Sequence, residues 1–331
     1  MAQMKYYYEL TVSSSPHVHQ DVTTKTIMRD VLIALAPALV FSVVNFGIRA
    51  LLVTLVSVVA CYGFEKLWNI LMKQNDKTYD LSACVTGVLL AFVCPVTVAY
   101  WQIVLGAAFA IVLVKMLFGG LGRNVVNPAL AGRAFMMSWP VAMSTWIKPG
   151  FQNAAPLFGS ADIATAATPL ANMHQGMMPV ESWTQLFWGN VGGCIGETSA
   201  LMLLIGLAYL LLRKVIKITI PAAYIGTVAI LTLIFPMGNN NFEWMLCHLF
   251  GGGLMLGAIF MATDYVTSPL TGWGQIVYGV GCGALTVLIR YFGGYNEGVS
   301  YAILIMNCFV VLLDRIGRPV KFGAPQKEAG K

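Results

Sequence analysis

Charge is what this sequence has least of. Asp, Glu, Lys and Arg make up only 10% of its 331 residues, where a soluble domain carries about 25%. That scarcity excludes an ordinary water-facing globular domain. Other chemistries are missing as well. The seven cysteines form no C-x-x-C pair, which argues against a Cys-only zinc site. Their places in or beside apolar runs read as small buried thiols, with cluster or metal ligation by cysteines on separate helices as the alternative. No G-x-S-x-G occurs, so a hydrolase of the nucleophile-elbow type has no support. No G-x-G-x-x-G follows a strand, and no dinucleotide site is read. The opening segment has no apolar stretch ahead of its Ser/Pro/His run, SSSPHVHQ at 13–20. A cleavable leader is therefore not expected. His17 and His19 alternate rather than stand four apart, which suits a cap at the membrane surface better than a metal site.

What the chain has instead is apolar length. It is 58% hydrophobic, with a mean hydropathy of +0.73. Apolar runs fall at about 31–47, 50–69, 82–98, 101–118, 125–141, 198–212, 218–236, 245–262, 275–290 and 298–313. A hydrocarbon core of roughly 30 Å takes about 20 residues of helix. The expectation is an all-α integral membrane protein of about ten helices, some short, tilted or broken. The first run, from Val31, is expected to stay as an anchor.

Basic residues set the orientation. With the N-terminus in the cytoplasm, 16 of the 20 Lys and Arg fall on the inner side. Arg49, Lys148 and Arg290 fall outside, and Arg133 lies within a segment. Both termini are expected inside, and the connection 142–197 outside. The net charge of +6 thus reflects membrane orientation and does not imply nucleic acid.

The halves resemble each other. PVTVAYWQIVLGAAFAIVLVKMLFGG (95–120) and PLTGWGQIVYGVGCGALTVLIRYFGG (269–294) share Pro-x-Thr, Gln-Ile-Val, a basic residue and Gly-Gly. The topology places Pro95 outside and Pro269 inside, so the copies run in opposite directions. This predicts two inverted five-helix repeats with sites near their interface.

Three motifs carry candidate chemistry. In GGLGRNVVNPALAGRAF (119–135), Asn124 and Asn127 stand three apart, which on a helix puts both amides on one face. Gly119, Gly120 and Gly122 allow close backbone approach, and Pro128 frees a helix carbonyl. The notch suits either an interhelical hydrogen-bond network or a ligand with imide-like donors and acceptors, such as a flavin ring. Asp264, in FMATDYVTSPLTG (260–272), closes the eighth run. An acid at that depth is costly unless paired or solvated; it reads as a cation- or flavin-site residue, or as an ordinary loop-edge acid. DLSACVTG (80–87) and GETSA (196–200) mark polar entries to helices, Glu197 being compatible with simple helix-start chemistry.

The third motif, SADIATAATPLA (160–171), contains Asp162-Ile-Ala-Thr165-Ala-Ala167-Thr168. This D-x-x-T-x-A-T pattern resembles the covalent FMN acceptor of membrane flavoproteins in the Rnf and sodium-pumping NADH:quinone reductase families, with Ala166 where Gly or Ser is typical. The flanks GRNVVNPALAGRAF, GETSALMLLIGLAYLLLRK, MATDYVTSPLTGWG and GGYNEGVSYAILIMN resemble the Rnf D subunit, from about residue 15 to 322.

The resemblance implies a urea-transporter-like fold. With the apolar runs and the charge count, the expected division is a cytoplasmic segment 1–30, a first repeat 31–141, an outward loop 142–197, a second repeat 198–314 and a basic tail 315–331. It implies FMN esterified through its phosphate to Thr168, with Asp162 and Thr165 as the other marked motif positions. Non-covalent riboflavin is expected near Asn124, Asn127 and Asp264. The implied role is electron carriage within an ion-translocating ferredoxin:NAD⁺ oxidoreductase of a cell inner or plasma membrane, with Na⁺ or H⁺ as the ion and no NAD or ferredoxin site of its own. Implied partners are the other Rnf subunits, the second covalent-FMN subunit above all, and a flavin transferase. Alternatives are the B subunit of the quinone reductase, which usually carries a longer N-terminal extension, a complex that keeps a redox-sensing transcription factor reduced, and a non-redox channel of the same fold.

Overall fold

The computed structural model describes residues 22–73, 78–139, 143, 145–147, 149–150, 168–238 and 240–315. These residues form helices and connecting turns, with no strand among them. Asp162 and Thr165 lie outside the described residues, as do His17 and His19.

Each of the ten apolar runs coincides with a helical element. The first part of the chain gives α1 (Thr24–Phe46), α2 (Ile48–Leu71), α3 (Ser82–Phe92), α4 (Tyr100–Ala108) and α5 (Pro128–Met136). Helix α4 runs on into a π-helical stretch, Phe109–Met116. Two short helices, α6 (Pro169–His174) and α7 (Trp183–Trp188), belong to the central connection. The later part gives α8 (Ala200–Leu212), α9 (Thr219–Ile234), α10 (Asn241–Phe250), α11 (Leu254–Leu256), α12 (Gly272–Phe292) and α13 (Val299–Leu313). A second π-helical stretch, Gly257–Met261, extends α11.

Three helices, α1, α2 and α12, are long and apolar enough to cross a membrane unaided. Helix α10 and the extended α11 make a fourth such element, bent by 61° at the break between them. Shorter apolar helices supply the rest. This is the make-up of a multi-pass membrane protein.

Local chemistry explains the ends. Thr23 caps α1 by accepting from the Thr26 N–H (3.3 Å), and Thr26 Oγ1 accepts in return from the Thr23 N–H (3.0 Å), a reciprocal box. Ser199 caps α8 through the Met202 N–H (3.4 Å), and Thr271 caps α12 through the Gly274 N–H (3.2 Å). Helix α9 lies along α12 at close quarters. A Cβ on Gly279 would come within 2.7 Å of Ala223 Cβ, and one on Gly283 within 2.7 Å of Thr227 Cβ. The small residues four apart let the two backbones meet, as membrane helices require. Buried Asp30 joins α1 to the end of α8, accepting from Arg213 Nε and Nη2 (both 3.2 Å) and from the Tyr209 hydroxyl (3.3 Å).

One sequence expectation is corrected. The fifth run does not begin its helix at 125. Asn124 stands in the turn before α5, and Asn127 is the cap, accepting from Ala129 N–H (3.0 Å) and Leu130 N–H (3.4 Å). The amides therefore do not share a helical face. Pro128 occupies the first helical position, where its missing N–H costs nothing. Three cations that entered the count of inner and outer charges do not face solvent. Arg49, Lys115 and Arg290 are all buried. Arg49 donates to the carbonyls of Val96 (2.9 Å), Thr97 (3.3 Å) and Val98 (3.4 Å), bracing the turn between α3 and α4.

Candidate functional site

Two cavities lie at opposite ends of α5. Asn127 and Pro128 line the first, and Arg133, Ala134 and Met137 line the second. Six residues separate Asn127 from Arg133, a rise of about 9 Å.

The first cavity gathers Asn124, Asn127 and Asp264, three residues that the sequence singled out separately. Asn127 Nδ2 donates to the Met261 carbonyl (3.3 Å), which ties the start of α5 to the end of the extended α11. Asn124 Nδ2 donates to the Val126 carbonyl (3.3 Å), while its Oδ1 is buried with no partner among the described residues. Asp264, in the turn before α12, accepts from the Thr267 hydroxyl (3.0 Å). Burial pushes its carboxyl above the usual range, against the pull of that hydrogen bond. The donors and acceptors suit an imide edge. The volume, about 70 Å³, does not hold a three-ring flavin unless the lining parts.

Lys115 and Ser82 also reach this cavity. Lys115 Nζ contacts Glu65 Oε2 (2.8 Å) on α2 and Ser82 Oγ (2.6 Å) at the start of α3. Ser82 Oγ in turn donates to Asp80 Oδ1 (2.6 Å). Lys115 belongs to the π-helical stretch of α4, a type of distortion that recurs at functional sites.

The second cavity measures about 280 Å³ and is lined by Arg133, Met137, Met143, Trp146, Thr168, Tyr295, Glu297, Ser300 and Tyr301, among others. Tyr295 and Tyr301 face each other with ring centroids 4.9 Å apart. Thr168 precedes α6 but does not use its side chain to cap it. Its place is fixed by the helix after it, whose Leu170 and Met173 are buried against Leu186, Val191, Trp244 and Cys247. His174 Nδ1 lies 2.8 Å from the Arg290 carbonyl oxygen. Thr168 is thus half-buried at the start of an anchored helix.

Behind Thr168 lies a buried charged group. Arg133 forms an ion pair with Glu297 and donates to Ser300 Oγ (3.0 Å). Glu197 Oε1 accepts from the Cys194 N–H (3.0 Å). Arg290 braces the backbone around the group. Its Nε donates to the Glu297 carbonyl (3.0 Å), Nη1 to that of His248 (2.6 Å), and Nη2 to those of Gly251 (3.0 Å) and Gly252 (2.8 Å). The α10–α11 break is therefore a braced turn with satisfied carbonyls, as irregular backbone at membrane depth requires.

Sequence reasoning had Thr168, Asn124, Asn127 and Asp264, but not Arg133, Glu297 or Lys115, and it noted Glu197 only as part of a polar helix entry compatible with helix-start chemistry. One signal was available for Arg133: an ionisable residue inside an apolar run is a functional candidate by default.

Comparison with known proteins agrees along the chain. The model of the NQR2, RnfD, RnfE family matches residues 11–323. The D subunit of the Na(+)-translocating ferredoxin:NAD(+) oxidoreductase complex of Acetobacterium woodii is 44% identical over 328 residues, covering 97% of this chain and 98% of that protein. The D subunit of the proton-translocating ferredoxin:NAD(+) oxidoreductase complex of Clostridium ljungdahlii is 42% identical over 329 residues, covering 95% and 96%. The D subunit of the ion-translocating oxidoreductase complex of Aeromonas salmonicida is 34% identical over 347 residues, covering 96% and 99%. The chain belongs to the NQR2, RnfD, RnfE family, and these three relatives are each the D subunit of an ion-translocating oxidoreductase complex.

Proposed function

We propose that this chain is the D subunit of an Rnf-type ferredoxin:NAD⁺ oxidoreductase, that it carries FMN esterified through phosphate to Thr168, and that it couples electron passage to cation translocation. The carrying observation is the position of Thr168 on a cavity that also holds an Arg133 guanidinium and the rings of Trp146, Tyr295 and Tyr301. A guanidinium matches a phosphate's geometry and charge, and flat aromatic walls suit a planar ring. The residues present fit the group. Bound there, FMN supplies the one- and two-electron chemistry, while the protein sets its position and electrostatics.

The chain's own part is binding and exclusion. Arg133, held by Glu297 and Ser300, is pre-placed to meet a phosphate without further ordering. Anchored α6 fixes the acceptor at the cavity mouth. A non-covalent riboflavin belongs to the same proposal at the first cavity. It is supported by the convergence of Asn124, Asn127 and Asp264 and requires that cavity to widen. Two cavities about 9 Å apart along α5 suit electron transfer between groups seated in them.

The proposed architecture is two inverted repeats, with Thr168 on the outer side. Its support is the matched pair of segments ending in Gly-Gly, each leading through a polar turn into a helix: α4 into α5 beside Asn127, and α12 into α13 beside Glu297. Other Rnf subunits and a flavin transferase are the proposed partners.

The test is covalent flavin. Protein made in cells that hold the transferase should fluoresce on a denaturing gel. A proteolytic peptide spanning Thr168 should gain the mass of FMN less one water. Thr168→Ala should abolish both signals. An unmodified peptide from wild-type protein made in such cells would overturn the reading.

A further inference from the structure

We propose that Glu197 and Glu297 form a binding site for one small alkali cation beside Thr168. Glu197 is 93% buried, since only 7% of it is accessible. One carboxylate oxygen accepts from Cys194 N–H; the other, Oε2, has no partner among the described residues. A buried carboxylate oxygen without a donor is expensive and calls for a positive charge.

The charges nearby do not supply it. Among the described residues the ionisable groups facing Glu197 are Cys94, Cys194, Arg133, Glu297 and Arg290. Arg133 is paired with Glu297. Arg290 directs its donors to the carbonyls of Glu297, His248, Gly251 and Gly252. One acid is matched by Arg133 and the other has no cation in contact.

The geometry suits an ion. A carboxylate oxygen of Glu197, one of Glu297 and Cys194 Sγ lie within 4.8 Å of one another. A cavity of about 20 Å³ reaches Glu197 and Glu297 and is also lined by Thr168, Gly193, Thr198 and Gly252. That is room for one water-sized particle. Gly253 lies against Glu197: its φ is +49°, and a Cβ there would come within 2.8 Å of Glu197 Oε2. The available ligands are carboxylate, hydroxyl and carbonyl oxygens, which suit a hard cation. The Cys194 thiol donates to the Val93 carbonyl (3.2 Å) and also lies beside the Glu197 carboxylate.

The site's role in transport rests on the proposed function, but its occupancy does not depend on flavin. The full chain, purified in detergent, is therefore measured as wild type made in cells that hold the flavin transferase and as flavin-free wild type made in cells that lack it. Sodium chloride is compared with choline chloride at equal ionic strength, reading thermal unfolding and bound ²²Na⁺. Sodium is expected to raise the unfolding temperature of both proteins and to bind at one ion per chain. Glu197→Gln should fold, bind no sodium and show no sodium-dependent shift, while Glu197→Asp should keep a weakened response. A Glu197→Gln protein that responds to sodium like wild type overturns the site. Two other results also overturn it: stabilisation by protons alone with no sodium effect, or stoichiometric Cd²⁺ binding abolished by Cys194→Ser without any sodium binding. Absence of covalent flavin from wild-type protein made with the transferase, with an intact sodium response, would refute only the FMN reading.

Discussion

Arg290 of α12 holds the carbonyl of Gly252, at 2.8 Å, on the far side of the break that divides α10 from α11. The same side chain reaches Gly251, His248 and Glu297, so one guanidinium satisfies four carbonyls of a bent, buried backbone. Arg290→Leu should destabilise the protein by at least about 3 kcal/mol, because each orphaned buried acceptor costs about 1–3 kcal/mol. Arg290→Lys should recover only part, since an ammonium lacks the planar fork of donors. Thermal unfolding in a fixed detergent checks both. An Arg290→Leu protein as stable as wild type would show that the break is held by other means.

Lys115 and Glu65 make a buried pair between α4 and α2, with side chains 2% and 4% exposed. Removing one partner leaves a buried charge, so Lys115→Met should cost about 3–5 kcal/mol. The double variant Lys115→Met/Glu65→Leu should recover most of that loss, since a buried pair replaced by packed apolar groups is often neutral. A double variant no better than the single one would locate the value of Lys115 in its Ser82 contact.

The apolar segments were legible because hydrophobic length is a local property. Every run from 31–47 to 298–313 coincides with a helical element, and only ends and breaks were misplaced. Asn127 shows why ends fail: a cap and a helical residue three apart from another amide look alike in sequence, and the Pro at 128 decides between them. The charged groups were less legible because their partners are remote. Arg133 meets a residue 164 positions away, and Glu65 meets Lys115 across 50. A count of Lys and Arg by side, Lys115 and Arg290 included, does not ask whether each one faces water. Both instead turn inward, because the short, interrupted helices around them leave backbone and carboxylates to satisfy. Thr168 was found through a motif, whereas the cavity it borders is built from chain segments brought together by folding.

The cap at α5 gives a smaller, graded prediction. Asn127→Ala removes the bonds to Ala129 N–H and Leu130 N–H, a loss of about 0.5–2 kcal/mol, and also the bond to the Met261 carbonyl. Asn127→Asp keeps the cap but loses the donor to Met261. It should therefore lie between wild type and Asn127→Ala in thermal unfolding. Equal stability of the two variants would mean that the link to Met261 outweighs the cap.

Helices α9 and α12 offer a test of close packing with a control on the same element. A Cβ at Gly279 would meet Ala223 Cβ at 2.7 Å, the Ile220 carbonyl oxygen at 3.0 Å and Tyr224 N at 3.1 Å. Two of those three atoms are backbone, which no rotamer change relieves, so the helices must part. Gly279→Ala should then cost about 1–3 kcal/mol, the usual penalty of overpacking. Gly226, inside α9, has nothing within 4 Å of its Cβ position. Gly226→Ala should be neutral or stabilise by up to about 1 kcal/mol, through helix propensity alone. Thermal unfolding of the two variants in the same detergent separates the effects. If both behave alike, the α9–α12 contact is governed by general helix preference and not by the close approach at Gly279.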